Sequence, residues 1–88
     1  MKYHVELTET AKKQLKKMDR ATASFITAWM RKNLEGCINP RVRGKGLTAN
    51  RSGQWRYRVG DYRIIAKIED ERVLILVLEV GHRSEIYS

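Results

Sequence analysis

Between residues 54 and 68, apolar and polar residues alternate on both sides of Gly60-Asp61. A period of two is typical of a strand that buries one face. Glycine readily takes the positive φ that the first position of a type II′ turn requires. The sequence therefore predicts two antiparallel strands joined by a tight turn at Gly60-Asp61.

The predicted register divides this hairpin into an apolar face and a basic face. The apolar face contains Trp55, Tyr57, Val59, Tyr62, Ile64, Ala66 and Ile68. The basic face, here named the arginine face, contains Arg56, Arg58, Arg63 and Lys67. Arg58 lies opposite Arg63, and like charges in that position cost from a few tenths to ~1 kcal/mol. The pairing favours an anion-binding site, and a solvated basic face is the alternative.

Periodicity also predicts the elements that precede the hairpin. Residues 2–7 alternate, which predicts a strand, and Thr8 or Thr10 can cap a helix that follows it. Asp19 can cap a second helix, which Gly36 ends. The apolar stripe of this second helix consists of Phe25, Ile26, Trp29, Met30 and Leu34. Two helices joined by a short turn form a helical hairpin, which must pack on another element.

Two further segments complete the predicted fold. Residues 41–53 are rich in glycine and basic side chains, which predicts a loop. Residues 73–80 are almost wholly apolar, as in a strand at the centre of a sheet. We expect a single α+β domain over residues 1–88, built as a small sandwich. Its expected parts are an N-terminal strand, a helical hairpin on the apolar face of the sheet, a three-stranded antiparallel meander and an open arginine face.

Composition narrows the class of protein. The chain has 88 residues, of which 42% are hydrophobic, so it can bury one small core. No apolar run is long enough to span a membrane, and the alternating N-terminus does not resemble a signal peptide. Cys37 is the one cysteine, which suits a reducing cytoplasm. Since it has no Cys or His neighbour at ligand spacing, we expect no metal site and no cofactor.

The distribution of charge points to nucleic acid. The formal net charge is +8, and residues 41–67 carry eight basic side chains against one acidic side chain. Such a concentration of positive charge is typical of proteins that bind nucleic acid. Arginine grips phosphate with a fixed fork of donors, and tyrosine can stack on an unpaired base. The candidate RNA-binding residues are Arg41, Arg43, Lys45, Arg51 and Lys67.

The chain resembles RelE toxins, which belong to the RelE/ParE superfamily of bacterial toxin–antitoxin systems. The resemblance rests on the order of the elements, on the hairpin residues 55–63 and on the ending Val80-Gly81-His82-Arg83 with Ile86-Tyr87. It covers nearly the whole chain. It implies a ribosome-dependent endoribonuclease that cuts mRNA in the ribosomal A site, where the substrate's own 2′-hydroxyl attacks the adjacent phosphate. It also implies a cognate antitoxin, RelB-like or similar, in a hetero-oligomeric complex.

The resemblance carries catalytic roles over to Arg56, Arg58, Arg63, Arg83 and Tyr87. The best-known member of the family has lysine where this chain has the first two of these arginines. Arginine stays protonated in proteins, so neither residue is a natural general base. Histidine is the side chain that changes protonation near neutral pH, and His82 directly precedes the last arginine. We therefore expect neutral His82 to accept the 2′-hydroxyl proton, with a surface histidine as the alternative.

Two other functions fit the same sequence. The ParE branch of the superfamily resembles this fold and poisons DNA gyrase by binding it, without nuclease activity. A plain nucleic-acid-binding module would require only the positive charge. The arginine-rich hairpin, together with Arg83 and Tyr87, favours the nuclease over both alternatives.

Overall fold

The computed structural model describes residues 1–86, which form two helices and five strands. The strands are β1 (His4–Leu7), β2 (Lys45–Gly46), β3 (Trp55–Val59), β4 (Tyr62–Glu69) and β5 (Leu74–His82). The helices are α1 (Glu9–Lys17) and α2 (Arg20–Asn33). Short 3-10 turns are found at Ala49–Arg51 and Asp70–Arg72.

The five strands form one sheet in the order β1-β5-β4-β3-β2. β1 pairs with β5 in parallel, and all other neighbours are antiparallel. The expected α+β architecture, with a meander that follows a helical hairpin, is confirmed. β2 lies inside the predicted loop and pairs Lys45 with Arg56 and Gly46 with Trp55. A strand of two residues is too short to show a period of two in the sequence, which is why it was not expected.

The β3–β4 hairpin has the predicted register. Val59 pairs with Tyr62, and Arg58 pairs with Arg63. Gly60 has a φ of +60°, and the residue that follows it is not among those with a positive φ. This combination agrees with the predicted type II′ turn. Because the turn fixes the register, it also fixes which side chains share each face of the sheet.

Polar side chains cap the N-termini of both helices, and the cap of the first helix also contacts the sheet. Thr8 Oγ1 accepts a hydrogen bond from the Ala11 backbone N–H at 3.1 Å and donates one to the Leu78 carbonyl oxygen at 3.0 Å. Asp19 accepts a hydrogen bond from the Thr22 N–H at 3.3 Å. These caps satisfy N–H groups that have no partner within a helix. Thr8 also fixes the start of α1 against β5.

The core lies between the helices and one face of the sheet. The cluster includes Ile26 and Met30 of α2, which are four positions apart and define the buried face of that helix. Phe25 was expected in the same stripe, and this expectation is wrong because 61% of the residue is exposed. Its side chain is rotated by about 100° from that of Ile26 around the helix, which is enough to reach solvent. Trp29 packs against the core but is only partly buried.

The arginine face is less open than the sequence suggested. Ile65 lies on it between Arg56 and Glu79 in the strand register, and Ile65 is fully buried while only 9% of Arg56 is exposed. Arg51 Nη1 lies 3.0 Å from Glu79 Oε2. The segment 47–53 therefore crosses this face and covers part of it. The period of two places Ile65 on the correct face, but it cannot show that a loop folds back over that face.

Candidate functional site

Strand pairing brings four of the expected catalytic arginines together near the hairpin turn. Arg58 pairs with Arg63. Arg63 in turn pairs with Gly81, two residues before Arg83. Burial lowers the pKa of the Arg63 guanidinium, and the positive charges of Arg58, Arg56 and Arg83 lower the same pKa further. These four cations, which β3, β4 and the end of β5 bring to one region of the sheet, are here named the arginine cluster.

Contacts with the turn hold two members of the arginine cluster. Arg63 Nη1 donates hydrogen bonds to the carbonyl oxygens of Gly60 at 3.1 Å and Tyr62 at 3.0 Å. The Arg83 backbone N–H donates to the Asp61 carbonyl oxygen at 2.8 Å. Arg83 Nε lies 4.0 Å from the Asp61 carboxylate, and both side chains are largely exposed. An exposed ion pair of this length is weak, so the Arg83 guanidinium can still bind a phosphate.

His82 lies on the opposite face of the sheet from Arg63. It pairs with Tyr62, which packs against the core, and the two rings meet edge to face with centroids 5.4 Å apart. His82 Nδ1 accepts a hydrogen bond from the Ser84 backbone N–H at 3.1 Å, and Ser84 Oγ lies 2.8 Å from the same nitrogen. These contacts occupy Nδ1. The expected role of His82 as the proton acceptor stays a prediction.

The tail after β5 folds back toward the arginine cluster. Ile86 is buried, and a Cβ added at Gly81 would lie 2.9 Å from its Cγ1, so the absence of a side chain lets the tail approach this closely. Gly81 pairs with Arg63, and the tail therefore passes beside Arg63. Tyr87, the last of the expected catalytic residues, lies outside the described residues.

Arg41 belongs to a separate group of contacts that anchors the beginning of the basic loop. Its guanidinium forms two hydrogen bonds with the Asp70 carboxylate, each 3.0 Å long, and lies 6.0 Å from the centroid of the Trp55 ring. The Tyr3 hydroxyl donates to the same carboxylate at 2.7 Å. Hydrogen bonds from Arg41 and Tyr3 hold the pKa of Asp70 below its usual range. Arg41 thus positions the loop, and its part in RNA binding stays a prediction.

The other expected RNA-binding residues are not gathered into one patch. Arg51 is paired with Glu79, whereas the side chains of Arg43, Lys45 and Lys67 are exposed. Lys67 lies on β4, four positions beyond Arg63 and away from the turn. Arg43 and Lys45 lie instead at the outer edge of the sheet, next to β3. Their contacts with RNA stay predictions, and the geometry separates them into two places.

Two residues near these cations were given no functional role from the sequence. Asp61 was assigned only to the turn, although it is the one acidic side chain in the basic stretch 41–67. Trp29 was interpreted as a core residue because it follows the apolar spacing of α2. In the structure it lines a cavity together with Arg43 and Arg58. Asp61 could have been noticed in the sequence, because it is an isolated acidic residue among basic ones. Nothing in the sequence distinguishes a tryptophan that lines a cavity, such as Trp29, from one in the core.

The described residues contain neither a metal-binding cluster nor a membrane-spanning helix. Within residues 1–86, no group of three or more His, Cys, Asp or Glu side chains is arranged to hold a metal ion. In the same part of the chain, no helix has the length and apolar character needed to cross a bilayer.

Comparison with known proteins identifies the family. The family described as ParE toxin of type II toxin-antitoxin system, parDE, matches residues 5–87. The toxin RelG of Mycobacterium tuberculosis is 31% identical over 87 residues, which are 99% of this chain and 98% of RelG. The chain therefore belongs to the RelE/ParE superfamily of toxins. Within it, the chain is a RelE-type toxin of a type II toxin–antitoxin system.

Solved structures show the same fold. A chain of the toxin–antitoxin complex RelBE2 from Mycobacterium tuberculosis superposes with a TM-score of 0.85 at 29% identity, over 94% of this chain and 100% of that one. The isolated RelE toxin of E. coli superposes with a TM-score of 0.71 at 20% identity, over 91% of this chain and 83% of that one. At the lower identity the likeness concerns the fold alone.

Proposed function

We propose that this toxin is a ribosome-dependent endoribonuclease that cuts mRNA in the ribosomal A site and so inhibits translation. The observation that carries the proposal is the arginine cluster, in which Arg58 faces Arg63 and Arg83 lies beside them. Guanidinium groups held against their mutual repulsion favour an anionic ligand, and each can bind a phosphate through two parallel hydrogen bonds. The similarity to curated RelG and RelE toxins supports this assignment.

In the proposed reaction, the 2′-hydroxyl of the substrate loses its proton as its oxygen attacks the adjacent phosphorus. The bond from phosphorus to the 5′-oxygen breaks, and the departing 5′-oxygen takes up a proton. The pentacoordinate phosphorane carries more negative charge than the ground state. Arg56, Arg58, Arg63 and Arg83 stabilise this charge, because preformed donors act most strongly where charge develops. The products are a 2′,3′-cyclic phosphate and a 5′-hydroxyl. These steps use charges that the protein itself supplies, so we propose a metal-independent reaction without a cofactor.

We expect His82 to position the tail rather than to accept the 2′-hydroxyl proton. His82→Gln should lower single-turnover cleavage by less than about tenfold and leave the shape of the pH–rate profile unchanged, because Nδ1 is already occupied by Ser84. Loss of a general base would instead cost about 10²–10⁴-fold and remove the neutral-pH limb of the profile. That larger result would mean that the contact with Ser84 breaks on the ribosome.

The proposed partners are the ribosome, mRNA and a cognate antitoxin, which is RelB-like or similar, in a cytoplasmic hetero-oligomer. A solved relative described as a toxin–antitoxin complex supports the antitoxin. The net charge of +8 favours an acidic partner, because complementary charge speeds and directs association. We propose that this antitoxin contributes an acidic, amphipathic segment that folds on binding.

Induction of the toxin alone tests the proposed function directly. We expect rapid arrest of translation with cut mRNA, and co-expression of the cognate antitoxin should restore growth. On programmed ribosomes, end-group analysis should find a 2′,3′-cyclic phosphate or 3′-phosphate and a 5′-hydroxyl. A 5′-phosphate product would exclude attack by the 2′-hydroxyl. Naked RNA should be cut slowly, because the ribosome is expected to orient the substrate.

The second candidate function is inhibition of DNA gyrase without nuclease activity. The match of residues 5–87 to the ParE toxin family favours it. Under this alternative, induction would damage DNA and leave mRNA intact, and the purified toxin would inhibit supercoiling by gyrase. Intact mRNA together with DNA damage would replace the nuclease proposal with this one.

A further inference from the structure

A cavity of about 380 Å³ opens at the outer edge of β3. The basic residues that line it are Arg43, Lys45, Arg56 and Arg58. Of the two aromatic residues at the cavity, Trp29 is partly exposed and Tyr57 is fully buried. No carboxylate of the described residues lines it. β2 pairs only with the first two residues of β3, so within residues 1–86 the remainder of that edge has no strand neighbour and leaves room for a ligand. The volume lies within the range of about 300–1,000 Å³ that is usual for small-molecule sites.

Arg56 adds a cation without an acidic partner to the lining of this cavity. Only 9% of the residue is exposed, and in the part of the chain that the structure describes it forms no ion pair. Arg56 lines this cavity and also the adjoining one beneath the basic loop. Arg56 therefore has no carboxylate partner among the described residues, and a phosphate in the cavity would supply the counter-charge.

The loop that carries two of the cations is held in place by its backbone. Gly44 has a φ of +78°, and a Cβ there would lie 2.2 Å from the Arg56 carbonyl oxygen. Trp55 Nε1 donates a hydrogen bond to the Arg43 carbonyl oxygen at 2.7 Å. Arg43 and Lys45, on either side of the glycine, are therefore presented by a fixed backbone, which reduces the entropy lost on binding.

Trp29 adds an aromatic surface to these charges. Its ring centroid is 5.9 Å from that of Tyr57, and the two planes are tilted by 54°, so the rings are not stacked in parallel. Trp29 is only partly buried and lines the cavity. Phosphate-binding cations beside an accessible aromatic ring are the combination by which proteins hold single-stranded nucleic acid.

We propose that this cavity binds one nucleotide of single-stranded RNA beside the nucleotide that is cut. Arg43 and Lys45 bind its phosphate, and its base packs on Trp29. The inference rests on the proposed function. It adds a second phosphate contact, made by Arg43 and Lys45, next to the arginines that the cavity shares with the arginine cluster. The edge of β3 is two strand spacings from β5, about 10 Å, so RNA that lies across Arg58 can reach both sites.

Tryptophan fluorescence of the free toxin tests the proposal, with a 2′-O-methylated RNA hexamer that has no attacking hydroxyl. We expect the hexamer to quench fluorescence in the wild type and much less in Trp29→Phe, which keeps a ring for stacking and leaves Trp55 as the one fluorescent tryptophan. Trp29→Leu should weaken binding of a labelled hexamer by about 5- to 150-fold, as measured by anisotropy.

Arg43→Gln/Lys45→Gln tests the contacts with phosphate. The slope of log affinity against log salt concentration should become shallower by about 1.4 in this variant.

Lys13→Gln/Lys16→Gln is the matched control, because it removes the same charge from an exposed face of α1. It should weaken binding less than the cavity variant does, and thermal melts should show that all variants fold. Equal weakening by the two pairs, equal quenching by polyglutamate, or no binding of the hexamer would overturn the proposal. These outcomes are distinct from failure of the nuclease proposal, which is judged by cleavage on ribosomes.

Discussion

Arg63→Ala is expected to slow mRNA cleavage by about 10²–10³-fold, because it removes a donor that acts on the charge of the phosphorane. The free energy of unfolding should stay within about 1 kcal/mol of wild type. Two small effects oppose each other: the hydrogen bonds to the turn carbonyls are lost, and the repulsion from Arg58 is relieved. The lowered pKa of Arg63 agrees with the second effect, because it means that the fold disfavours the charged form of this side chain. A thermal melt and single-turnover cleavage on programmed ribosomes measure both quantities.

Three further variants make this result specific. Arg83→Ala should behave like Arg63→Ala, and Arg63→Lys should be intermediate because it keeps the charge and loses the fork. Arg72→Ala removes an arginine that pairs with Glu69, away from the hairpin turn, and should cut at the wild-type rate. An Arg63→Ala toxin that melts normally and cuts as fast as wild type would remove the hairpin from the active site and favour the gyrase target.

The hairpin could be predicted from the sequence because its determinants are local. A period of two and a glycine at the turn are enough to pair Arg58 with Arg63 and to place each side chain on a face. The arginine cluster also includes Arg83, which no local rule brings near the turn. The order of the strands predicted it just past the end of the strand beside the hairpin, and the pairing of β5 with β4 confirms that place, while its catalytic role came from the resemblance to RelE toxins.

Features that depend on distant contacts could not be predicted. Nothing near Arg51 indicates that it reaches Glu79, and this contact covers Ile65 on a face that looked open. Phe25 has the same apolar character as its neighbours on α2, so only the orientation of the helix on the sheet decides that it is exposed.

Tyr57→Ala is expected to lower the free energy of unfolding by about 3–5 kcal/mol, as for other buried aromatic residues. Tyr57 is fully buried, and its hydroxyl donates a hydrogen bond to the Pro40 carbonyl oxygen at 2.7 Å. Burial raises the pKa of this hydroxyl well above its ordinary value, which agrees with a dry environment. The substitution removes the ring from the core and the anchor from the start of the basic loop. Chemical denaturation measures the effect, and we expect the m-value to stay the same in wild type and variant.

Two controls separate the ring from the hydroxyl and the core from the surface. Tyr57→Phe keeps the ring and leaves the Pro40 carbonyl without its partner, so it should cost about 1–3 kcal/mol. Phe25→Ala removes an aromatic ring that is 61% exposed and should change stability by no more than about 0.5 kcal/mol. A Tyr57→Ala cost as small as that of Phe25→Ala would mean that the two faces of the hairpin are exchanged. Arg58 and Arg63 would then point toward the helices, and the phosphate site built on them would be lost with the fold assignment.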